Sequence, residues 1–492
     1  MKKIFLMTLA ALVMASCGDV TDNYFARVDD VTLSEPDPEA PDPEYPIPEP
    51  VDPGNTGGGD PASYWYQAAD SATMGLLNRY WPPLLTRATP QNDVVSYWAF
   101  TERADTRTLS SSNYWPQAHA MDAIIDAYNR TPSDAEGLNV LGREILDQKE
   151  LWLSIYDKWF QGAPRMQWCY STNWGSTAYQ TTYPHFTDFG NAGGWRNYFI
   201  DDMAWMVLTH IRMYESLVVA EPALAAKYLA TGKDMYDRYI WNWAWDTWRN
   251  PLVGGLFWCL GTGGDAYTSK NACINGPGMV IAGKLAWYSE GAEREKYLDQ
   301  AKKIYNFFLT TTLATSAGQV RDNVNSAGTS ISGGALTYNQ GTFMGGCHWL
   351  YKLTGEAEYL NRAITATDYS LANLQTGSGN TRVLVSHDSE GGGNNCVFAA
   401  IFLRYFIPLI NEPEVSPTKR QEWYGHLERW ANCVWKEGRA INKNGSSAAN
   451  AMLFGTSWNS ITTVAATSIH LGNMVSGSVL VESMNLVKLP IQ

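Results

Sequence analysis

Two adjacent carboxylates, Asp201 and Asp202, are the strongest candidates for catalytic residues in this sequence. Apolar residues recur at three- and four-residue spacing around them, which predicts a helix over 199–218 with both acids in its first turn. Two nearby carboxylates repel each other's ionisation, so one can keep its proton while the other stays charged. That division suits hydrolysis of a glycosidic bond. Acids in a first helical turn also cap amide groups and complement the helix dipole, and spacing alone favours this plainer role.

The rest of the chain must supply the elements that position this pair. Helical periodicity predicts further helices over residues 64–80, 115–129, 145–160 and 223–241. A Tyr-Leu pair recurs at 228–229, 297–298 and 359–360, at a spacing that fits a repeated unit of two helices and two loops. The body is long enough for about six such hairpins.

Six helical hairpins can close into an all-α (α/α)6 toroid, and an open helical solenoid is the alternative. Long Trp- and Gly-rich loops, such as residues 171–194 and 248–264, separate the predicted helices. These loops favour the toroid, because they need a common rim at which to gather. They would form a cleft at that rim.

The composition is that of a globular, aromatic-rich body with an acidic N-terminal segment. The 492 residues carry a net charge of −13 and include 21 Trp and 27 Tyr. Most of the negative charge lies in residues 18–60, so the remainder is close to neutral. We expect no nucleic-acid partner, because phosphate binding needs a basic face. Trp and Tyr combine a flat apolar face with a polar edge, which suits stacking on sugar rings as well as core packing.

The N-terminal residues indicate export. Lys2 and Lys3 precede an apolar run that is too short to span a bilayer and is typical of a signal peptide. Residues 14–17 (MASC) resemble a bacterial lipobox. We therefore predict a lipoprotein signal peptide over residues 1–17 and lipidation of Cys17. A plain signal peptide with an incidental cysteine is the alternative.

The domain organisation follows from the composition after Cys17. Residues 18–60 are rich in Pro, Gly and acids, and we predict that they form a disordered stalk. Residues 61–492 are predicted to be the folded catalytic domain. The protein would then be an exported lipoprotein of the outer membrane, at the cell surface and held by its lipid anchor alone. We expect a monomer.

No metal site or other cofactor is indicated. The cysteines after Cys17 are Cys169, Cys259, Cys273, Cys347, Cys396 and Cys433. None of them forms a C-x-x-C pair, and the seven His include no helical metal-binding pair. We predict that these cysteines are mostly buried free thiols.

Four motifs in order resemble glycoside hydrolase family 76, over roughly residues 65–405. The motifs are YWPQAH (114–119) with DAY (126–128), FIDDMAW (199–205), GGLFW (254–258) with KNA (270–272) and NG (275–276), and TYNQG (337–341). The resemblance implies an (α/α)6 toroid and a retaining, endo-acting α-1,6-mannanase that cleaves the backbone of α-mannan.

The resemblance also implies roles for individual residues. Asp201 is expected to be the nucleophile and Asp202 the general acid/base. Sugar contacts are expected from an aromatic platform, Tyr338, and from the amides of Asn339 and Gln340, which match vicinal hydroxyls. Three further aromatic residues are candidates for stacking on sugar, namely Trp195, Tyr198 and Trp258. Gln117 and His119 are weaker candidates.

One segment departs from the family pattern. Where the family has Asp-Gln before Phe-Lys-Gly, this chain has NNCVFAA at residues 394–400. Asp388 and Glu390 precede it, and we interpret them as solvated loop charges sooner than as replacements. The departure keeps open the alternative of a glycan-binding surface lipoprotein without hydrolysis. An exo-acting α-mannosidase on a similar toroid is a separate alternative.

Overall fold

The computed structural model describes most of the folded body. The described residues are 61–81, 114–132, 138–140, 143–145, 147–162, 195, 197, 199–260, 267–387, 395–440, 453–459 and 470–488. The predicted signal peptide, Cys17 and stalk lie outside these residues, as do Cys169, Tyr198, Asp388 and Glu390. No helix in this part of the chain has both the length and the apolar character needed to cross a membrane.

Twelve long α-helices within the described residues form two concentric rings. The inner helices are α2 (Tyr114–Arg130), α4 (Ile200–Leu217), α6 (Ala272–Trp287), α8 (Thr337–Thr354), α10 (Phe398–Ile410) and α12 (Leu471–Leu486). Each inner helix packs against the next, and α12 packs against α2, which closes the ring. Nearly every residue of α6 and α12 is buried, as expected for helices that are enclosed by neighbours.

The outer helices alternate with the inner ones along the chain. They are α1 (Pro61–Tyr80), α3 (Gln148–Gly162), α5 (Pro222–Met235), α7 (Gly291–Thr310), α9 (Ala357–Asn373) and α11 (Pro417–Cys433). Helix α1 packs on α12, and each other outer helix packs on the inner helix before it. The tyrosines of the sequence repeat, Tyr228, Tyr297 and Tyr359, are buried in α5, α7 and α9. The predicted all-α toroid of helical hairpins is therefore confirmed.

Two predicted helix boundaries differ from the structure. Ile145 belongs to β2 (Arg143–Ile145), which pairs antiparallel with β1 (Leu138–Val140), and α3 begins only at Gln148. The helix predicted over 223–241 changes to a π-helical turn at Tyr236–Trp241. The apolar spacing continues through both places, but the backbone forms a strand in the first and a π-helical turn in the second.

The inner helices run parallel, so their N-termini meet at one rim. Trp115 of α2 lies 6.2 Å from Phe398 of α10, ring centre to ring centre, and Tyr338 of α8 lies 3.7 Å from Phe398. Their C-termini meet at the opposite mouth, where Lys284 of α6 pairs with Glu215 of α4 at 2.5 Å.

The long connections return from outer to inner helices at the N-terminal rim, except residues 131–147, which carry β1 and β2 and join α2 to α3 at the opposite mouth. Chain segments 218–221, 288–290, 355–356 and 411–416 join inner to outer helices at the opposite mouth and are short. The longer returns carry the small sheets, which are β3–β4–β5 (Ser269–Asn271, Arg321–Asn325, Ile331–Ala335), β6–β7 (Gln375–Thr376, Val383–Leu384) and β8–β9 (Arg439–Ala440, Leu453–Phe454). Residues 248–260 of the predicted rim loops lie at this rim, whereas the predicted loop 171–194 lies outside the described residues.

A buried ion cluster occupies the centre of the toroid. Arg212 contacts Asp122 at 2.7 Å and Asp126 at 2.5 Å, and Arg404 contacts the same acids at 3.2 and 3.4 Å. These pairs connect α2, α4 and α10. A cavity of 410 Å³ extends from this cluster to the mouth opposite the acid pair, where Lys284 lines it.

Candidate active site

The acid pair lies in the first turn of α4, and its backbone is fixed by a neighbouring loop. Ile200 N donates to Trp258 O at 2.9 Å, and Phe199 forms an antiparallel bridge with Cys259. No side chain caps the N-terminus of this helix. Asp201 and Asp202 therefore project at the rim from a first turn that the Trp258 loop holds in place.

Burial and mutual repulsion raise the pKa values of the two carboxyl groups to different extents. Both residues are half-buried, and Asp201 Oδ1 has no hydrogen-bond partner in the described structure. Burial raises the pKa of Asp201 to about 6, against opposing hydrogen bonds from Cys273 and Trp258. Burial and the neighbouring Asp201 charge raise the pKa of Asp202 well above its usual range, although Asn197 Nδ2 donates to Asp202 Oδ2 at 2.9 Å. Asp201 therefore ionises first while Asp202 keeps its proton.

Equivalent positions of neighbouring inner helices surround Asp201. Asp201, Cys273 and Tyr338 are each the second residue of their helices, α4, α6 and α8. The Cys273 thiol hydrogen-bonds to both Asp201 and Tyr338, and burial followed by the Asp201 charge raises its pKa well above the usual value. Cys273 is therefore a neutral donor beside the acid pair. The sequence analysis did not select it, although its place in the helix repeat is a signal that would have found it.

Tyr338 lies near Asp201, next to Cys273, and one face of its ring is covered. Its ring stacks on Phe398 at 3.7 Å with an interplanar angle of 12°. Burial raises the pKa of Tyr338 well above its usual value, so the phenol stays protonated. Its hydroxyl hydrogen-bonds to Cys273. The Tyr338 hydroxyl can thus act as a hydrogen-bond donor, while the Phe398 ring covers the Tyr338 face on which a sugar would otherwise stack.

A third carboxylate, Asp322, completes this side of the site. Asn339 Nδ2 donates to Asp322 Oδ1 at 3.1 Å, and the Asp322 charge contributes to raising the pKa of Tyr338 and Cys273. Asn339 Oδ1 is buried and has no partner among the described residues. Asp322 comes from β4, and Gly333 of β5 permits its close approach, because a Cβ there would lie 2.4 Å from the Asp322 Cβ. Sequence reasoning missed Asp322, since only the β4–β5 hairpin brings it to the rim.

Gln340 and Trp195, for which sugar contacts are predicted, are both buried in this structure. Gln340 is fully buried and its Nε2 donates to Gly318 O at 2.9 Å and Ala366 O at 3.1 Å, while its Oε1 accepts from Val320 N. The indole of Trp195 is buried against Trp159, Phe160 and His210. The Gln340 amide therefore uses its hydrogen-bonding groups within the protein. Tyr198 lies outside the described residues.

The Trp258 loop is fixed by a buried ion pair. Lys270 Nζ contacts Asp246 Oδ2 and Gly254 O, each at 2.6 Å, and both charged side chains are buried. Asn275 ties Leu256 by accepting from its N at 2.8 Å and donating to its O at 3.0 Å. These contacts give the GGLFW, KNA and NG motifs a common role, which is to hold Trp258 beside Asp201.

Gln117 and His119, the weaker candidates, are both buried in α2. His119 lies between Trp115 and Trp205, and burial lowers its pKa, so it is neutral. Neither residue reaches the acid pair through a described contact. The five cysteines of the described residues are all buried, as predicted. In the same part of the chain, no group of His, Cys, Asp and Glu has an arrangement that would hold a metal ion.

Comparison with known proteins places this geometry in a family. The model of glycosyl hydrolase family 76 matches residues 64–484. The chain belongs to this family.

Curated family 76 relatives share part of the chain. It is 26% identical over 200 residues to the mannan endo-1,6-alpha-mannosidase DCW1 of Eremothecium gossypii, which covers 37% of this chain and 40% of the relative. It is 29% identical over 137 residues to the mannan endo-1,6-alpha-mannosidase DFG5 of Candida albicans, covering 27% and 30%. The chain thus spans less than half of the length of each of these relatives.

Solved structures of family 76 share the fold over nearly their whole length. The GH76A α-1,6-mannanase of Salegentibacter sp. HEL1_6 superposes with a TM-score of 0.62 at 24% identity, covering 86% of this chain and 100% of that one. An inactive variant of that enzyme, with two consecutive aspartates replaced by asparagine, was solved with α-1,6-mannotriose. The family 76 mannosidase Bt3792 of Bacteroides thetaiotaomicron gives 0.60 at 16% identity, covering 86% and 98%. These likenesses agree with the helical toroid.

The segment that departs from the family 76 pattern closes one side of the rim. Asn394 lies outside the described residues, but Asn395 Nδ2 donates to His387 O at 2.9 Å. His387 Nε2 in turn accepts from Thr337 N at 3.1 Å, at the start of α8. Phe398 begins α10 and covers Tyr338. Phe398 thus keeps the family's Phe, whereas Ala399 stands where the family has Lys and the Asn395 amide contacts backbone within the protein.

Proposed function

We propose that this chain is a retaining, endo-acting glycoside hydrolase that cleaves α-1,6-mannosidic bonds in the backbone of α-mannan. The observation that carries the proposal is the adjacent pair Asp201 and Asp202, whose pKa values are raised to different extents at the loop-bearing rim. Family membership and the mannanases named above support the substrate class. Two consecutive aspartates are also the residues that were replaced in the inactive variant of the Salegentibacter enzyme.

The pKa order gives each carboxyl group its role. In the first step Asp202 donates its proton to the glycosidic oxygen while an Asp201 oxygen attacks the anomeric carbon. The bond to the leaving chain breaks and a glycosyl ester on Asp201 forms. In the second step Asp202 takes a proton from water, whose oxygen attacks the same carbon and releases Asp201 as a carboxylate. Cys273 and Trp258 hydrogen-bond to Asp201 and so favour its ionised form.

Hydrolysis of unbranched α-1,6-mannan, with products resolved by size, tests the activity. Because the long connections of the toroid gather at one rim, the substrate chain can lie across it and be cut internally. Short oligomannosides should therefore appear early, with little free mannose. Mannose as the sole early product would favour an exo-acting enzyme. Binding of mannan without any product would favour the glycan-binding alternative, which the altered segment 394–400 keeps open.

Asparagine variants test the assignment of roles. Asp201→Asn and Asp202→Asn should stay folded and bind mannan, yet each should lose at least about a thousandfold in turnover, or about 4 kcal/mol of barrier. With an activated aryl α-mannoside, azide should rescue Asp202→Asn and give the α-azide, because that leaving group needs little protonation. Rescue of Asp201→Asn with retention would reverse the two roles.

We further propose that the protein is an outer-membrane lipoprotein anchored through Cys17, with its acid pair on the side away from the membrane. Helix α1 runs antiparallel to α12, since Asn485 Nδ2 near the end of α12 donates to Trp65 O near the start of α1 at 3.1 Å. Pro61 thus lies at the mouth opposite Asp201. The native protein should fractionate with membranes, and Cys17→Ala should release it; equal solubility of both forms would contradict the anchor.

A further inference from the structure

Two large apolar side chains are exposed at the rim that carries the acid pair. Trp248 is 47% and Leu252 is 97% exposed, and both lie at the tip of the connection from α5 to α6. The other exposed large apolar side chains in the described part of the chain are Val218, Val219 and Trp287, and all three lie at the opposite mouth. Exposed apolar groups that share a rim with a reactive pair point to a ligand contact.

The loop that presents Trp248 is rigidly mounted. The Asp246 carboxylate accepts hydrogen bonds from the backbone N–H groups of Trp248 at 3.0 Å, Arg249 at 2.7 Å and Asn250 at 2.8 Å. Asp246 is itself held by the buried Lys270 ammonium at 2.6 Å. The indole is therefore preorganised, and a ligand that contacts it meets little ordering cost from the loop.

Trp248 is accessible to a ligand over about half of its surface. The Arg249 guanidinium lies 4.8 Å from the ring centre over one face, and Tyr267 meets the indole in an edge-to-face arrangement at 5.6 Å. These contacts orient the ring without enclosing it, consistent with its exposure of 47%. A flat, solvated indole face is the group on which the apolar face of a sugar ring stacks.

Trp248 lies on the same connection between α5 and α6 as Trp258, the residue that contacts Asp201. Trp248 lies 6.3 Å from Phe257, centre to centre, and the next residue, Trp258, hydrogen-bonds to Asp201 through its side chain. Trp248 is therefore on the same loop as the Asp201 contact, ten residues earlier in the chain, and its own contacts are with Arg249, Phe257 and Tyr267. A sugar on Trp248 would thus be a different unit from the reacting sugar.

We propose that Trp248 binds a mannosyl unit of the substrate chain at a distal subsite, away from the bond that is cleaved. This inference rests on the proposed mannanase function and adds a determinant of chain-length preference to it. Trp248 does not touch the reacting atoms, so its contribution should appear in the binding of long substrates only.

A chain-length series tests the proposal. The kcat/KM of wild type, Trp248→Ala, Trp248→Phe and Trp287→Ala is measured on reduced α-1,6-mannooligosaccharides of increasing length and on unbranched α-1,6-mannan. Trp248→Ala should lose about three- to tenfold on the long substrates, mainly through KM, and nothing on the shortest one that wild type cleaves. Trp248→Phe should recover much of the loss. Trp287→Ala, which removes an exposed indole from the opposite mouth, should follow wild type at every length.

Binding without turnover gives an independent readout. In an Asp202→Asn background, calorimetric affinity for long oligomannosides should fall by about the same factor on adding Trp248→Ala, and should not change on adding Trp287→Ala. Equal length dependence for Trp248→Ala and wild type would overturn the distal subsite while leaving the mannanase proposal intact. Wild type that neither cleaves nor binds any member of the series would instead overturn the proposed function.

Discussion

Replacement of Asp201 by asparagine should stabilise the fold at neutral pH. Asparagine keeps the size of the side chain and removes the charge that burial disfavours. The pKa of Asp201 is raised from 3.8 to about 6, which corresponds to about 3 kcal/mol between the two protonation states. Because the folded-state pKa lies above the unfolded one, the native state holds the proton more tightly, so stability is lost as the pH rises from about 3.8 to about 6 and the full cost is present above pH 6.

The pH dependence of the gain distinguishes this cause from others. Near pH 4 the native carboxyl group is protonated and Asp201→Asn should change the free energy of unfolding little. The gain should grow as the pH rises towards 6 and reach up to about 3 kcal/mol at pH 8. Relief of the repulsion on Asp202 acts in the same direction.

Urea unfolding of wild type and Asp201→Asn at pH 4 and pH 8 measures the difference. Asp299→Asn is a matched control, since its side chain is 58% exposed and pairs only with Lys303 four residues away. That control should change stability by less than about 1 kcal/mol at both pH values. A loss of stability in Asp201→Asn at pH 8 would refute the reasoning, because the carboxylate would then serve the fold as a helix cap.

Three further perturbations follow from the same geometry. Asn197→Ala removes the hydrogen bond that favours ionised Asp202, so the alkaline limb of the kcat/KM profile should move to higher pH; an unchanged limb would contradict this. Arg404→Met leaves the buried acids at the centre of the toroid with one cation fewer, so the free energy of unfolding in urea should fall by about 3–5 kcal/mol. A fall below about 1 kcal/mol would show that the cluster does not hold the helices together. Gly341→Ala would place a Cβ 2.7 Å from the backbone of α10 and should lower the free energy of unfolding by about 1–3 kcal/mol. Gly425→Ala lies in open space on α11 and should raise it by up to about 1 kcal/mol. Equal effects of the two substitutions would argue against close packing of α8 on α10.

The architecture could be predicted from sequence because its signals are local and repeated. Apolar spacing located the helices, and the recurring tyrosines of α5, α7 and α9 marked equivalent positions of successive hairpins. The acid pair was found because both carboxylates lie next to each other in the chain. Their placement in a first helical turn followed from the same periodicity.

The remainder of the site depends on contacts between distant segments. Asp322 reaches the rim through a two-stranded hairpin that carries no catalytic signature of its own. Gln340 and Trp195 have residue types that suit sugar binding equally well, but nothing in a sequence says whether an amide or an indole is already satisfied inside the protein. Trp248 was not selected either, because exposure is a property of the folded chain.

Trapping the glycosyl-enzyme tests directly whether Asp201 is the nucleophile of a retaining mechanism. A 2-deoxy-2-fluoro-α-mannosyl donor with a good leaving group should transfer its sugar to the nucleophile, because the fluorine slows hydrolysis of the resulting ester. Peptide mass spectrometry should then find one added fluoromannosyl group on Asp201 in wild type and none in Asp201→Asn. A label on Asp202 or Asp322, or no label although mannan is hydrolysed, would contradict the proposed mechanism.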